Sequence, residues 1–153
     1  MTTGTTDPQL LAAIADWTAA FRARDIDRMM SHYGDDIVFF DVKPPFQTCG
    51  KAAMRRIWEN CLPFFPERFD IEHRDDRILV DGDLAVAHRL FSIVGWPEGH
   101  PGAGMWMRAT IVFRRRDGRW IDVHEHVSVP FDPMTGMVVT DPGAHPPRCD
   151  QAG

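Results

Sequence analysis

The chain reads as an α+β protein: three N-terminal helices, then a run of long antiparallel strands packed against them. Three observations carry this. Apolar residues recur at helical spacing only in the first part, beginning with Leu10, Leu11, Ile14, Trp17 and Phe21. Beyond Arg68 the pattern becomes strand-like and is cut by turn signals at Asp81-Gly82-Asp83 and Asp117-Gly118. Helices followed by strands, rather than alternating with them, is the order of an α+β fold with helices covering one sheet face.

Each element has its own justification. Met1 to Thr6 are polar and small, so residues 1–7 are expected to be a disordered N-terminus. Asp7-Pro8 combines a capping carboxylate with proline at the first helical position and opens the first helix. Asp25 caps a short second helix carrying Ile26, Met29, Met30 and Tyr33, with Gly34 as its stop. Asp36 to Asp41 forms a short strand closed by Pro44-Pro45. Gly50 opens a third helix with Met54, Ile57, Trp58 and Cys61 on one side, ended by Pro63. Four strands follow, over Arg68 to Val80, Leu84 to Gly95, Met105 to Arg116 and Arg119 to Phe131. A Pro/Gly-rich loop, Pro97 to Gly104, separates the middle two and is a candidate lid. The domain is expected over residues 8–132, with 133–153 as a surface tail.

Bulk properties exclude several functions. At 153 residues the chain fits one domain. A net charge of −5 gives no attraction to nucleic acid, and Arg114-Arg115-Arg116 sits at a hairpin end as a solvated strand terminus. Cys49, Cys61 and Cys149 are odd in number and lack ligand spacing, so neither a disulfide framework nor a metal site is expected. No leader pattern precedes the first helix and no apolar run spans a bilayer. The expectation is a cytoplasmic protein with no cofactor, no membrane partner and no nucleic-acid partner.

The last strand carries the chemistry. Ile121, Val123, Glu125, Val127, Val129 and Phe131 alternate onto one face, apolar but for a carboxylate in the middle. If that face lines the core, burial raises the pKa of Glu125. A buried carboxylate is costly for folding and invites a functional role; the alternative is a Glu satisfied by one donor or a strand end open to water.

Three stretches together resemble the NTF2-like superfamily, which includes ketosteroid isomerases and SnoaL-like proteins: Tyr33-Gly34-Asp35-Asp36-Ile37-Val38-Phe39-Phe40-Asp41 with Pro44-Pro45 and Gly50, then Asp81 to Ala87, then Arg115 to His126. The resemblance runs from about Leu10 to Phe131 and implies a cone-shaped curved antiparallel sheet over three helices, usually dimeric. In ketosteroid isomerases the general-base Asp ends the first strand, which matches Asp41. The oxyanion Tyr of that group falls at Trp17 and its second acid at about Ile111, so both electrophilic partners differ here. SnoaL-like cyclases place an acid on the last strand, matching Glu125. The same alignment turns Leu84, Val86, His88, Leu90 and Val94 inward, making His88 a second polar residue on an apolar face.

These readings converge on a pocket holding Asp41, His88 and Glu125, with one carboxylate as base and Glu125 or His88 as acid. Trp17, Tyr33, Phe39, Trp58, Met107 and Val127 are expected to wall it and bind substrate. The expected function is a cofactor-independent enzyme acting on a small hydrophobic carbonyl compound, an isomerase, dehydratase or cyclase of polyketide-type metabolism. A non-catalytic small-molecule-binding or assembly module is the alternative. His124, His126 and Ser128, beside Trp106, Arg108 and Thr110, fit a homodimer interface. They also resemble the ending of a carbonic anhydrase group on this fold, with Glu125 where that motif has His.

Overall fold

The structure is a computed structural model and describes residues 7–143. The expected disorder of Met1 to Thr6 and the last ten residues of the tail lie outside the described residues.

Helix α1 (Pro8–Arg22) starts at Asp7, whose carboxylate accepts from the amides of Gln9 and Leu10. Asp25 caps α2 (Ile26–Met30) through the Arg28 amide. Strand β1 (Tyr33–Phe40) begins earlier than expected, so Gly34 lies within it rather than stopping a helix. A two-residue strand β2 (Thr48–Cys49) leads through Gly50, at φ 90°, into α3 (Lys51–Cys61). Pro63 sits in a short 3₁₀ turn, Leu62–Phe64, that closes this helix. Four long strands follow: β3 (Asp70–Asp81), β4 (Leu84–Val94), β5 (Trp106–Arg116) and β6 (Arg119–Ser128). Asp117 and Gly118, at φ 51° and 73°, make the tight turn between β5 and β6. The described part of the tail folds into a small hairpin, β7 (Phe131–Asp132) with β8 (Met137–Val138).

The six-stranded sheet has the order β2-β1-β6-β5-β4-β3. Its neighbours are antiparallel except one: β1 runs parallel to β6, with Phe39 opposite Glu125. The sheet is therefore mixed, because β1 reaches β6 only after helix α3 and four strands rather than through a hairpin.

Register decides which side chains meet the helices. On β4 the inward residues are Ala85, Ala87, Arg89, Phe91 and Ile93. The expected inward set of Leu84, Val86, His88, Leu90 and Val94 is thus reversed. The reason is space: α1 crosses close to the sheet, and fully buried Leu10 packs on Ala85, Ala87, Phe113 and Trp120. Alanines admit that approach, whereas the larger residues take the open face, where Leu84 remains 39% exposed.

On β6 the alternation breaks. Phe113 pairs with Asp122 and Val112 with His124, leaving Val123 unpaired as a β-bulge. Trp120 and Asp122 consequently face inward at 3% and 5% exposure, and Glu125 and Val127 do so beyond the bulge. The expectation that Ile121 and Val123 are the inward pair is corrected. Beside the turn, Arg115 pairs with Asp7 and stacks over Trp120, while Arg116 grips both oxygens of Asp36 at 2.7 and 2.8 Å.

This register predicts opposite outcomes at adjacent positions. Ala87→Leu should overpack the sheet–helix contact and cost about 1–3 kcal/mol in denaturant unfolding. His88→Ala should stay within about 0.5 kcal/mol of the parent. A reversed pair of values would reverse the face assignment.

Candidate active site

Between the concave sheet face and α1 and α3 lies a cavity of about 290 Å³. Its wall is mostly apolar. Trp17, Phe39, Trp58, Met107 and Val127 line it, as the sequence led us to expect. Trp17 stacks on Phe21 at 5.1 Å and meets Trp58 edge-on at 5.8 Å, so the helical side of the wall is one aromatic cluster. Tyr33 departs from expectation. It is buried beneath the wall with Met30, Ile37, Phe39 and Met54 and does not line the cavity. Burial raises its phenol pKa well above the usual value, and the nearby Glu125 and Asp122 carboxyls push the same way.

Asp41, Asp122, Glu125, Arg89 and His73 are brought to the wall by four strands or strand ends. Asp41, just past β1, lines the cavity with its side chain 13% exposed. It accepts from the Val42 amide at 2.7 Å and pairs with Lys43 Nζ at 3.0 Å. Glu125 lies one strand away, level with Phe39. Two residues of strand rise separate the Phe39 row from Asp41, roughly 7 Å. A small ligand could therefore lie between the two carboxyls.

The bulge at Val123 adds a residue that alternation assigned to the opposite face. Asp122 is fully enclosed and its carboxyl lies against that of Glu125. Desolvation first, then the charge of Glu125 and the hydrogen bond to it, raises the Asp122 pKa well above the usual carboxylate range. The His124 amide donates to Asp122 and opposes the shift. Burial and the neighbouring carboxyl thus both favour the protonated form of Asp122.

Across the sheet, Arg89 of β4 and His73 of β3 also line the cavity. The Arg89 side chain is 6% exposed, ion-paired with Asp76 at 3.3 Å and 3.3 Å from His73 Nε2. Burial, then the Arg89 charge, lowers the His73 pKa, so its neutral ring accepts from the guanidinium. Cys61 lines the opposite wall, where burial pushes its thiol up to about 11 and disqualifies it as a nucleophile.

His88 is corrected: it lies on the outer face, exposed, and is no part of the cavity. Its place in the expected trio is taken by Asp122. None of Pro97 to Gly104 lines the cavity either. His100 stacks flat on Trp96 at 4.2 Å, which pins that loop elsewhere. On the outer face, His124 Nδ1 donates to the Val38 carbonyl at 2.7 Å, and Phe40 packs edge-on against His124 and His126. Ser128 accepts from Arg108 at 3.1 Å. Among the described residues no group of three His, Cys, Asp or Glu is arranged to hold a metal ion.

The raised Asp122 pKa has a measurable consequence. A carboxyl whose folded pKa is raised binds its proton more tightly in the native state. Its contribution to stability is complete below the unfolded value near 3.8 and is lost as pH rises toward the folded value. Asp122→Asn keeps a donor towards Glu125 and removes the titration. Its stability relative to the parent should therefore rise steadily with pH above about 4 in denaturant melts. Parallel curves for the two proteins would show that Asp122 is not held neutral.

Comparison with known proteins follows this geometry. Residues 10–132 match the family described as SnoaL-like domain. No curated protein matches the chain. Among solved structures, an NTF2-like protein of unknown function from Pseudomonas putida KT2440 is 36% identical, with 86% of this chain and 92% of that one covered at a TM-score of 0.77. A candidate dehydratase of the NTF2-like family from Streptomyces avermitilis is 21% identical, covering 78% and 92% at 0.66. A candidate scytalone dehydratase from Novosphingobium aromaticivorans DSM 12444 is 12% identical, covering 86% and 85% at 0.67. With a matched segment spanning most of its length and a concave mixed sheet closed by three helices, the chain belongs to the SnoaL-like family of the NTF2-like superfamily.

Proposed function

We propose that the protein is a cofactor-independent acid–base enzyme acting on a small, hydrophobic, carbonyl-bearing molecule. Its chemistry would be proton abstraction next to the carbonyl, leading to isomerisation, dehydration or ring closure. One observation carries the reading: the neighbouring Asp122 and Glu125 carboxyls inside an apolar cavity, with a separate carboxyl group, Asp41, placed at the edge beside exposed Lys43.

The division of labour follows from environment. Asp41 takes a proton from the carbon next to the carbonyl. Negative charge then develops on the carbonyl oxygen, and the proton carried by Asp122 meets it as a hydrogen bond or by transfer. In an enclosed apolar wall such a contact is worth more than in water, because no solvent competes. Transfer leaves two adjacent carboxylates, whose repulsion favours the proton's return and closes the cycle. The aromatic wall of Trp17, Phe39 and Trp58 selects flat apolar bodies. The dehydratase descriptions of two structural neighbours agree with this class of chemistry. A homodimer through the outer sheet face, where Leu79 and Leu84 are 59% and 39% exposed, belongs to the same proposal.

Exchange of the protons next to the carbonyl of β-tetralone in heavy water, followed by proton NMR, tests the reaction without the natural substrate. The parent protein should accelerate exchange, and Asp41→Asn should lose about 10²- to 10⁴-fold of that acceleration while melting like the parent. A ketone that binds without faster exchange would assign the cavity to a non-catalytic binding module. Full activity in Asp41→Asn would remove Asp41 from the mechanism.

A further inference from the structure

We propose that Arg89 forms a subsite for the ligand's carbonyl oxygen, one that selects neutral carbonyl compounds over carboxylates. This deepens the preceding proposal and rests on it in one respect: that the cavity is where the ligand binds.

The subsite is built by three strands. Arg89 faces inward on β4 and is paired with Ala109 of β5, whose methyl leaves the guanidinium room over the sheet. On β3 the register slips: Arg74 pairs with Leu90 and Arg77 with His88, so Asp75 and Asp76 together stand opposite Arg89. Asp75 adopts φ 51°, a left-handed conformation unusual for this residue type. A bulge re-aims its side chains, and here it presents the Asp76 carboxylate to Arg89 Nε at 3.3 Å. His73 Nε2 occupies Nη1 at 3.3 Å. Nε and Nη2 are both enclosed and neither has a hydrogen-bond partner among the described residues, the Asp76 contact at Nε being an ion pair.

A guanidinium donor without a partner at the wall of an apolar cavity is a costly arrangement. The His73 contact at Nη1 and the Asp76 ion pair beside Nε orient the fork. Nη2 has neither and is left for an acceptor that the protein does not supply. Charge then chooses the acceptor. Arg89 is balanced by Asp76, His73 accepts as a neutral ring, and two carboxyl groups, Asp122 and Glu125, already line the same enclosure. A carboxylate would add negative charge to an enclosure that already holds those two carboxyl groups and whose buried cation, Arg89, is already paired. A ketone, ester or lactone oxygen satisfies Nη2 and adds none. When that oxygen gains charge during proton abstraction, Arg89 is the cation beside it. A donor that Ile111 cannot supply is thereby provided from another strand.

Three probes of one shape separate the possibilities in direct binding titrations. Methyl β-naphthyl ketone presents a neutral oxygen, β-isopropenylnaphthalene replaces it with a methylene, and β-naphthoate presents a carboxylate. The parent protein should bind the ketone about 10-fold more tightly than the hydrocarbon, with naphthoate weaker than the ketone. Arg89→Met should erase the ketone's advantage and leave hydrocarbon affinity within about 2-fold. An unchanged ketone-to-hydrocarbon ratio in Arg89→Met would overturn the subsite, and naphthoate binding tightest would overturn its selectivity. Should Arg89→Met not fold, the infrared carbonyl stretch of the bound ketone in the parent protein decides: a shift below its frequency in alkane solvent supports the contact, and an alkane-like band refutes it. Absence of proton exchange in the tetralone assay, with the ketone preference intact, would sink the enzyme reading alone.

Discussion

Val123 has no partner on β5, and that one unpaired residue puts two carboxyl groups on the same face of one strand. In a regular strand Asp122 and Glu125, three positions apart, would point to opposite sides. The bulge cancels the alternation and turns both into the enclosed face, close enough for the Glu125 carboxyl to help raise the Asp122 pKa. The rest of the site is arranged around this pair. Phe39 stands beside Glu125 because β1 runs parallel to β6, and the same pairing carries Asp41 to the cavity edge just beyond. Asp41 and the Asp122–Glu125 pair are thus placed by one pair of strands with a fixed register.

A second constraint is the size of the side chains under α1. Ala85 and Ala87 let Leu10 approach the sheet at one end, where Phe113 and Trp120 complete a closed core. Towards the other end the sheet carries Arg89, Phe91 and Ile93, and the helical side offers rigid aromatic rings rather than adaptable aliphatic ones. Rings stacked on one another cannot collapse into the remaining space, so a cavity persists where aliphatic side chains would fill it. Packing is tight where the helix must be anchored and open where the polar groups converge.

Much of this was legible beforehand. The helical spacing of Leu10 to Phe21, the Asp7-Pro8 start and the Asp117-Gly118 turn each encode local geometry directly, and the corresponding elements form. Asp41, Glu125 and five of the six expected wall residues reach the cavity because their strands or helices follow simple periodicity up to those points. Asp122, Arg89 and His73 were missed for one reason. Alternation says which residues share a face, but not which face is inside, and it cannot count across a bulge. On β4 the larger apolar residues are on the outside, so hydrophobicity pointed the wrong way and drew in His88. The usable signal was the spacing Ala85, Ala87 and, on the neighbouring strand, Ala109: small residues mark where another element or a ligand comes close, and Arg89 continues that row. The parallel β1–β6 pair left no local trace, because it joins segments that are far apart in the chain.

The distribution of unsatisfied polar groups argues that the cavity is the functional part of the molecule. Buried side-chain atoms without a hydrogen-bond partner among the described residues include the Trp17, Trp58 and Trp120 indole nitrogens, the Tyr33 hydroxyl, Arg89 Nε and Nη2, Arg115 Nε and Asp122 Oδ1. All but that of Arg115 belong to the cavity wall or lie directly behind it. Each such group costs about 1–3 kcal/mol, against a total stability of only about 5–15 kcal/mol for a domain of this kind. Away from the cavity the polar groups are conventionally matched: Asp36 with Arg116, Asp16 with Arg28 and His32, Asp70 with Arg22. A chain that satisfies its exposed charges so fully has no general difficulty in pairing polar atoms. Concentrating the exceptions around one enclosed space, with both donors and an acceptor among them, is the pattern expected of a site whose remaining hydrogen bonds are completed by a bound molecule.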